Sequence, residues 1–310
     1  MTSNTKKTDV FKIKPAARHI LTIGRDLIKD NATALLELIK NSYDADSTRV
    51  TIEFSATKQA KNSGIKISVK DDGHGMDYKT VTTVWMVPST FYKQGKLVSD
   101  SKKRPLQGRK GIGRYAASIL GNILRLETTK SGETTTLSLN WEDFETKEYL
   151  DQIEVSIDRE KTGKSAGTII EIVGDSHKLL EWDEPQIRNF IKELRRLLSP
   201  IHEKDIKTDF EIELAFKNFP VKGYENETIS IEPFPILEVF DYRISGEISA
   251  SGEAKLLFEN GTIGMAPEKV PAHIIPLADG AKYCGKLKVD FKVYDRDTDS
   301  INNLIEKIGK

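Results

Sequence analysis

Residues 34–46 read A-L-L-E-L-I-K-N-S-Y-D-A-D, and a helix through them has two unlike sides. At about 100° per residue, Glu37, Asn41 and Asp44 fall on one stripe, because they are spaced i, i+4 and i+7. Leu35, Leu36 and Ile39 point the other way, toward a core. Asp30 or Asn31 fits the N-cap of a helix over 32–43. Any fold of this chain must bury one side of the helix and leave carboxylate, amide and carboxylate on the other. A solvated face would explain such a stripe equally well, so its meaning rests on the neighbouring segments.

Two of them are informative. Thr48–Phe54 and Ile65–Val69 alternate and are β-rich, so each reads as a strand. Asp71-Asp72-Gly73-His74-Gly75-Met76 follows the second strand directly. A carboxylate at a strand end, followed by two glycines, lets the backbone turn tightly and a flat ligand approach closely. Alone, this pattern is also that of a simple turn. Further on, Gly108-Arg109-Lys110-Gly111-Ile112-Gly113-Arg114 opens a short helix expected over 113–120. A glycine-rich loop running into a helix N-terminus points backbone N–H groups at an anion. No Gly-Lys-Ser/Thr follows, so it is not a Walker loop. No clean strand precedes it, which argues against a Rossmann site.

The rest of the chain narrows the class. Its 310 residues suggest two domains. Lys+Arg and Asp+Glu number 47 each, so the chain is not a generic nucleic-acid coat. The single cysteine, Cys284, can form no internal disulfide and reads as a buried strand thiol in a cytoplasmic protein. No apolar run approaches about 18 residues, so no membrane span is expected. Residues 1–10 read as a polar leader without the apolar core of a signal peptide. Residues 86–110 form a long basic loop. Strands are expected at 122–129, 133–140, 151–157, 168–173, 209–216, 242–249, 253–258 and 286–294. A helix is expected over 183–198, capped by Asp183 and stopped by Ser199-Pro200. The five histidines, with Trp85 and Trp182, read as structural or exposed.

Each motif is ordinary, but their order is not. The carboxylate–amide helix, the Asp–Gly turn, a lid and a glycine-rich phosphate loop resemble the ordered boxes of the GHKL superfamily of ATPases. Ser165-Ala166-Gly167-Thr168-Ile169-Ile170 resembles the Gly-Thr strand that closes the adenine pocket there. E-L-I-K-N-S-Y-D-A-D (37–46) looks most like the MutL and MORC branches, and D-D-G-H-G-M and G-R-K-G-I-G-R-Y-A resemble prokaryotic MORC-like ATPases. The resemblance covers most of residues 11–175. It implies an α+β chain: an N-terminal arm (1–30), a two-layer GHKL (Bergerat) sandwich (31–200), and a β-rich transducer-like domain (201–310), incomplete at Lys310. In that domain 241–248 and 284–297 look like pieces of MORC-like proteins. In relatives a following segment supplies a lysine that reaches the γ-phosphate, so this chain reads either as a fragment of a longer protein or as a member without that lysine.

The resemblance also implies roles. Glu37 is the general base that activates water. Asn41 binds Mg²⁺. Asp71 takes the adenine amino group, with Thr168 bracing it through water, and Gly75 and Met76 line the adenine face. Gly108, Gly111 and Gly113 offer amides to the phosphates within the cofactor-binding run Arg109, Lys110, Ile112 and Arg114. Asp44 either holds the polar network or caps its helix. Ser89 and Thr90 stand where relatives place a lid Thr-Ser motif, in a divergent context. The expected activity is Mg²⁺-dependent ATP hydrolysis with lid closure and ATP-dependent homodimerisation, through apolar residues of 8–22 such as Phe11, Ile13 and Ile20. DNA or a partner protein is a further expected contact, and Lys93, Lys96, Lys102, Lys103, Arg104, Arg109 and Lys110 are the lid cations that could meet phosphate. The alternatives are an ATP switch without turnover and a GHKL protein kinase.

Overall fold

A computed structural model describes residues 11–26, 28–58, 63–88, 97–108, 113–198, 209–234, 239–250, 252–261, 265–271, 285–295 and 297–308. Among sequence expectations, the leader 1–10, Ser89, Thr90, Lys93, Lys96, Arg109, Lys110, Gly111, Ile112, Ser199-Pro200, His202, His273 and Cys284 lie outside these residues. Two compact units emerge. The first comprises 1–197 with 206–232, and the second is built chiefly from 233–310.

The first unit is a two-layer α/β sandwich. Its helices are α1 (His19–Asp26), α2 (Asn31–Asp44), α3 (Tyr78–Thr80), α4 (Ala117–Leu120), α5 (Trp141–Thr146), α6 (Ser176–Leu180) and α7 (Glu184–Leu197). Its strands are β1 (Arg49–Lys58), β2 (Ser63–Asp71), β3 (Ile123–Lys130), β4 (Glu133–Asn140), β5 (Ile157–Lys161), β6 (Gly167–Gly174), β7 (Glu211–Lys217) and β8 (Thr228–Ser230). They form one sheet in the order β5-β4-β3-β6-β2-β1-β7-β8. Every pairing is antiparallel except β1 with β7, which run parallel.

Period-two alternation decides which face is covered. Ile52 and Phe54 of β1, Ile65 and Ile67 of β2, Leu124 and Leu126 of β3 and Ile172 of β6 are all buried. Phe54 is the centre of an aromatic cluster. Its ring lies 4.7 Å from Trp182, 6.2 Å from Phe190 on α7 and 5.5 Å from Phe216 on β7. The alternate positions carry charge that is paired across strands, as in Lys217–Glu53 at 2.6 Å.

Several expected elements appear close to their expected places. Asp30 caps α2 through the Thr33 amide at 2.8 Å, and Asp183 accepts the Gln186 amide at 2.9 Å ahead of α7. Two differ. The strand expected over 151–157 begins only at Ile157: a 3-10 turn spans Leu150–Gln152, and the edge strand pairs with Glu133–Leu137 of β4 through Ile157–Lys161. The sheet also runs past residue 200, the expected domain boundary. β7 joins β1 in parallel and β8 follows it, so 211–230 complete the first unit's sheet.

The second unit is β-rich. β9 (Tyr242–Ile248), β10 (Ala254–Asn260), β11 (Glu268–Val270) and β12 (Leu287–Val293) form an antiparallel sheet in the order β11-β10-β9-β12, followed by α8 (Thr298–Ile308). Register puts Ile244, Phe258 and Phe291 abreast on an apolar face. The opposite face carries Arg243, bonded to Asp290 at 2.9 Å and paired with Glu259 at 3.3 Å.

Candidate nucleotide-binding site

The site begins where the apolar face of the sheet turns polar. Core-facing positions of β2 run Ile65, Ile67, Val69 and then Asp71. Across the sheet, Val69 stands beside Ile170 of β6, which stands beside Leu126 of β3. Two residues further the row reads Asp71, Thr168, Thr128. A carboxylate in a core-facing strand position needs donors, because burying it unpaired is costly. Asp71 Oδ1 accepts the amides of Gly73 at 2.9 Å and Thr168 at 3.2 Å. Its Oδ2 accepts the Ser42 hydroxyl of α2 at 2.9 Å. Burial still pushes the Asp71 carboxyl above the ordinary aspartate range, against the pull of these three donors.

Thr168 thus braces Asp71 directly through its backbone N–H. Its hydroxyl turns instead to Thr128 Oγ1, 3.1 Å away. Thr128 Oγ1 also accepts the Met76 amide at 2.8 Å. Ser42 and Thr128 had no role in the sequence reading. Ser42 sits inside the helix motif, and Thr128 could be found only by knowing which strands are neighbours.

The Asp–Gly turn is fixed by close backbone approach. Gly75 has φ +62°, and a Cβ there would overlap the Thr129 carbonyl oxygen. A Cβ on Gly73 would lie 2.8 Å from the Ala45 carbonyl at the end of α2, and the His74 amide donates to that same carbonyl at 3.0 Å. The His74 side chain itself is exposed. Asp72 faces away and accepts the amides of Thr48 at 2.7 Å and Arg49 at 2.9 Å, together with the Thr48 hydroxyl.

On α2, the Leu35 and Ile39 side is fully buried and Asn41 is exposed. Glu37 is partly exposed and pairs with Lys40 Nζ at 2.8 Å. A Cβ on Gly113 would lie 3.0 Å from Glu37 Cβ and 3.1 Å from its Oε2, so a larger residue there would press on the Glu37 side chain. Asp44, 8% exposed, accepts two amides: Gln107 on Oδ1 at 2.8 Å and Gly108 on Oδ2 at 3.0 Å. The amide of Gly108, expected to face phosphate, is thus turned to Asp44.

The cations depart further from expectation. Arg114 donates to the carbonyls of Val84 at 3.3 Å and Val87 at 2.7 Å and lies over the Tyr115 ring at 4.7 Å. Burial lowers its basicity. It braces the π-helical turn Val81–Trp85 and the residues after it, not an open pocket. Arg104 is 5% exposed. Its guanidinium bonds the Asp209 carboxylate and carbonyl and the Ser47 carbonyl, and covers the Tyr43 ring at 4.6 Å. Lys102 also bonds Asp209, at 2.7 Å, and Lys103 bonds the Asp100 carbonyl at 2.7 Å. These three lid cations hold the protein's own oxygens.

The first unit is thus a two-layer sandwich whose sheet ends in the row Asp71, Thr168 and Thr128, with Glu37 and Asn41 on the neighbouring helix α2. Residues 29–168, just under half of the chain, match the family model described as "Histidine kinase-, DNA gyrase B-, and HSP90-like ATPase". That match supports placing the segment in the GHKL superfamily. A comparison with curated proteins gave no match. No helix among the described residues is long and apolar enough to cross a membrane.

Proposed function

We propose that this chain binds ATP with Mg²⁺ in the pocket formed by α2, the Asp71–Met76 turn and β6, and that it hydrolyses the nucleotide. The observation that carries this reading is the half-buried Asp71. A carboxylate offers about four acceptor directions. Two on Oδ1 and one on Oδ2 are taken, which leaves one on Oδ2 for an outside donor. The exocyclic amino group of adenine is such a donor, and the close turn at Gly73 and Gly75 suits a flat ring.

Asn41 suits a cation held jointly with nucleotide. Among the described residues no three His, Cys, Asp or Glu side chains gather as a self-sufficient metal site. Mg²⁺ is commonly bound by one or two protein oxygens plus phosphates and water, so the donor set fits. When bound, the ion supplies positive charge to the triphosphate oxygens. Glu37 takes the proton from the attacking water. Its carboxylate is paired with Lys40, and the chain at Gly113 passes close beside it.

The finer reading, closest to MORC-like and MutL-like proteins, is an ATP-gated homodimer that acts on DNA or on a partner protein. Lid closure over ATP supports it by family analogy alone. Lys102 and Arg104 lend the DNA reading nothing, since both are committed to Asp209.

The deciding experiment compares wild type with Glu37→Ala. A non-hydrolysable ATP analogue should bind both equally, while phosphate release falls about 10²–10⁴-fold. A wild-type rate in Glu37→Ala would remove Glu37 as the base.

A further inference from the structure

We propose that Asp44 is a positioning residue for the glycine-rich segment, acting on the chain rather than on nucleotide; the inference rests on the ATP reading above. Its two carboxylate oxygens bind two successive amides, Gln107 and Gly108, 63 and 64 residues away in sequence. Successive amides aimed at one anion form a nest. Here the nest is filled by the protein's own carboxylate, which is nearly buried and sits on a core helix. Bonds from N–H to a carboxylate are the stronger, charge-assisted kind.

The spacing on α2 explains why this matters. Asp44 holds Gly108, at the start of Gly108–Arg114, and Glu37 abuts Gly113 near its end. The two anchors are seven residues apart on one stripe, about 10 Å along the axis. One rigid helix therefore sets both flanks of the segment, and it also carries Glu37 and Asn41. Phosphate would meet a segment whose ends are already registered to the catalytic side chains. Pre-ordering of this kind lowers the entropy lost on binding.

An opposite role is physically distinct. If Asp44 instead competed with phosphate for these amides, removing it would strengthen nucleotide binding. The sign of the effect separates the two.

The test uses the full chain with Asp44→Ala and Asp44→Asn, the latter keeping one acceptor oxygen. Calorimetry is run with adenosine, ADP and a non-hydrolysable ATP analogue. The expected result in Asp44→Ala is a loss of about tenfold or more for ADP and the analogue, with adenosine unchanged and partial recovery in Asp44→Asn. In turnover, KM for ATP should rise by a larger factor than kcat falls. Equal or tighter binding of the phosphorylated ligands overturns the proposal, as does an equal loss for adenosine. Amide hydrogen exchange on nucleotide-free protein supplies a readout independent of any ligand. The Gln107 and Gly108 amides should be protected in wild type and lose protection in Asp44→Ala, less so in Asp44→Asn. Rapid exchange of both in wild type also overturns the proposal. Failure of wild type to bind adenosine or ATP would sink the ATP reading instead, and the exchange data would still decide the anchoring. If Asp44→Ala fails to fold, Asp44→Asn carries the same comparisons.

Discussion

At the residue scale, Asp71 concentrates the chemistry. It is a core-facing carboxylate with three internal donors and one acceptor direction left. Asp71→Asn should weaken ATP binding by about 1.5–3 kcal/mol, the worth of one hydrogen bond to a charged group, as read by calorimetry. Because burial raises the Asp71 pKa, protonation sets in above the ordinary aspartate range as pH falls. ATP affinity in wild type should therefore drop with acidity earlier than an exposed aspartate would allow, and Asp71→Asn should lack that step. Parallel pH profiles would test the cause. Gly75 is a second pressure point. Alanine there meets both a positive φ and the Thr129 carbonyl. Gly75→Ala should cost about 3 kcal/mol or more of stability, measured by denaturant unfolding. A wild-type midpoint would show that the turn shifts freely.

At the element scale, Arg104 is one of several side chains that tie down the segment 97–108, with Lys102, Asp44 and Asp46. Arg104 joins the end of α2, through the Tyr43 and Ser47 carbonyls, to Asp209 ahead of β7. Arg104→Met removes the guanidinium that lies over the Tyr43 and Phe210 rings and strands these acceptors. It should destabilise the first unit by about 1–3 kcal/mol. The Asp209 carboxyl is held below the ordinary range, first by the bond from Arg104 and also by Lys102, against a smaller effect of burial. A lowered folded pKa adds stability that is full above the unfolded value and lost as pH falls through the folded one. Wild type should thus lose stability below about pH 4, and Asp209→Asn should show a shallower acid limb from a lower neutral plateau. Thermal melts across pH decide this; identical limbs would mean the pair contributes nothing.

At the scale of the whole molecule, the N-terminal residues divide their apolar side chains. Ala17, Ile20 and Leu21 are buried within the first unit, and Leu150 donates its amide to Pro15 at 3.1 Å. Phe11 and Ile13 remain 87% and 101% exposed. Exposed apolar residues of this kind suit a partner surface. The chain should be mostly monomeric without nucleotide and with ADP, and shift toward a dimer with a non-hydrolysable ATP analogue, because ATP drives assembly only by preferring the closed state. Phe11→Ser with Ile13→Ser should abolish the shift and leave the monomer's melting unchanged. Light scattering that returns one monomer mass under all three nucleotide conditions would end the ATP-gated homodimer reading for this chain.

Local pattern was enough for α2, its Asp30 cap, α7, the strands on either side of the Asp–Gly turn, and the stripe of Glu37, Asn41 and Asp44. Each depends on periodicity or on residues three to seven apart, which covalent geometry brings together in any fold. The parallel pairing of β7 with β1 was not legible, since nothing within 209–217 names its neighbour. Nor was the break at 151–157, where hydrophobic alternation without a partner strand does not make a strand. The contacts of Ser42 and Thr128, the commitment of Arg104 and Arg114 to carbonyls, and the bond from the Gly108 amide to Asp44 all join residues 27 to 105 apart. A side chain's type says which bonds it can make. Only the folded chain decides which donors and acceptors stand within 3 Å or so of it.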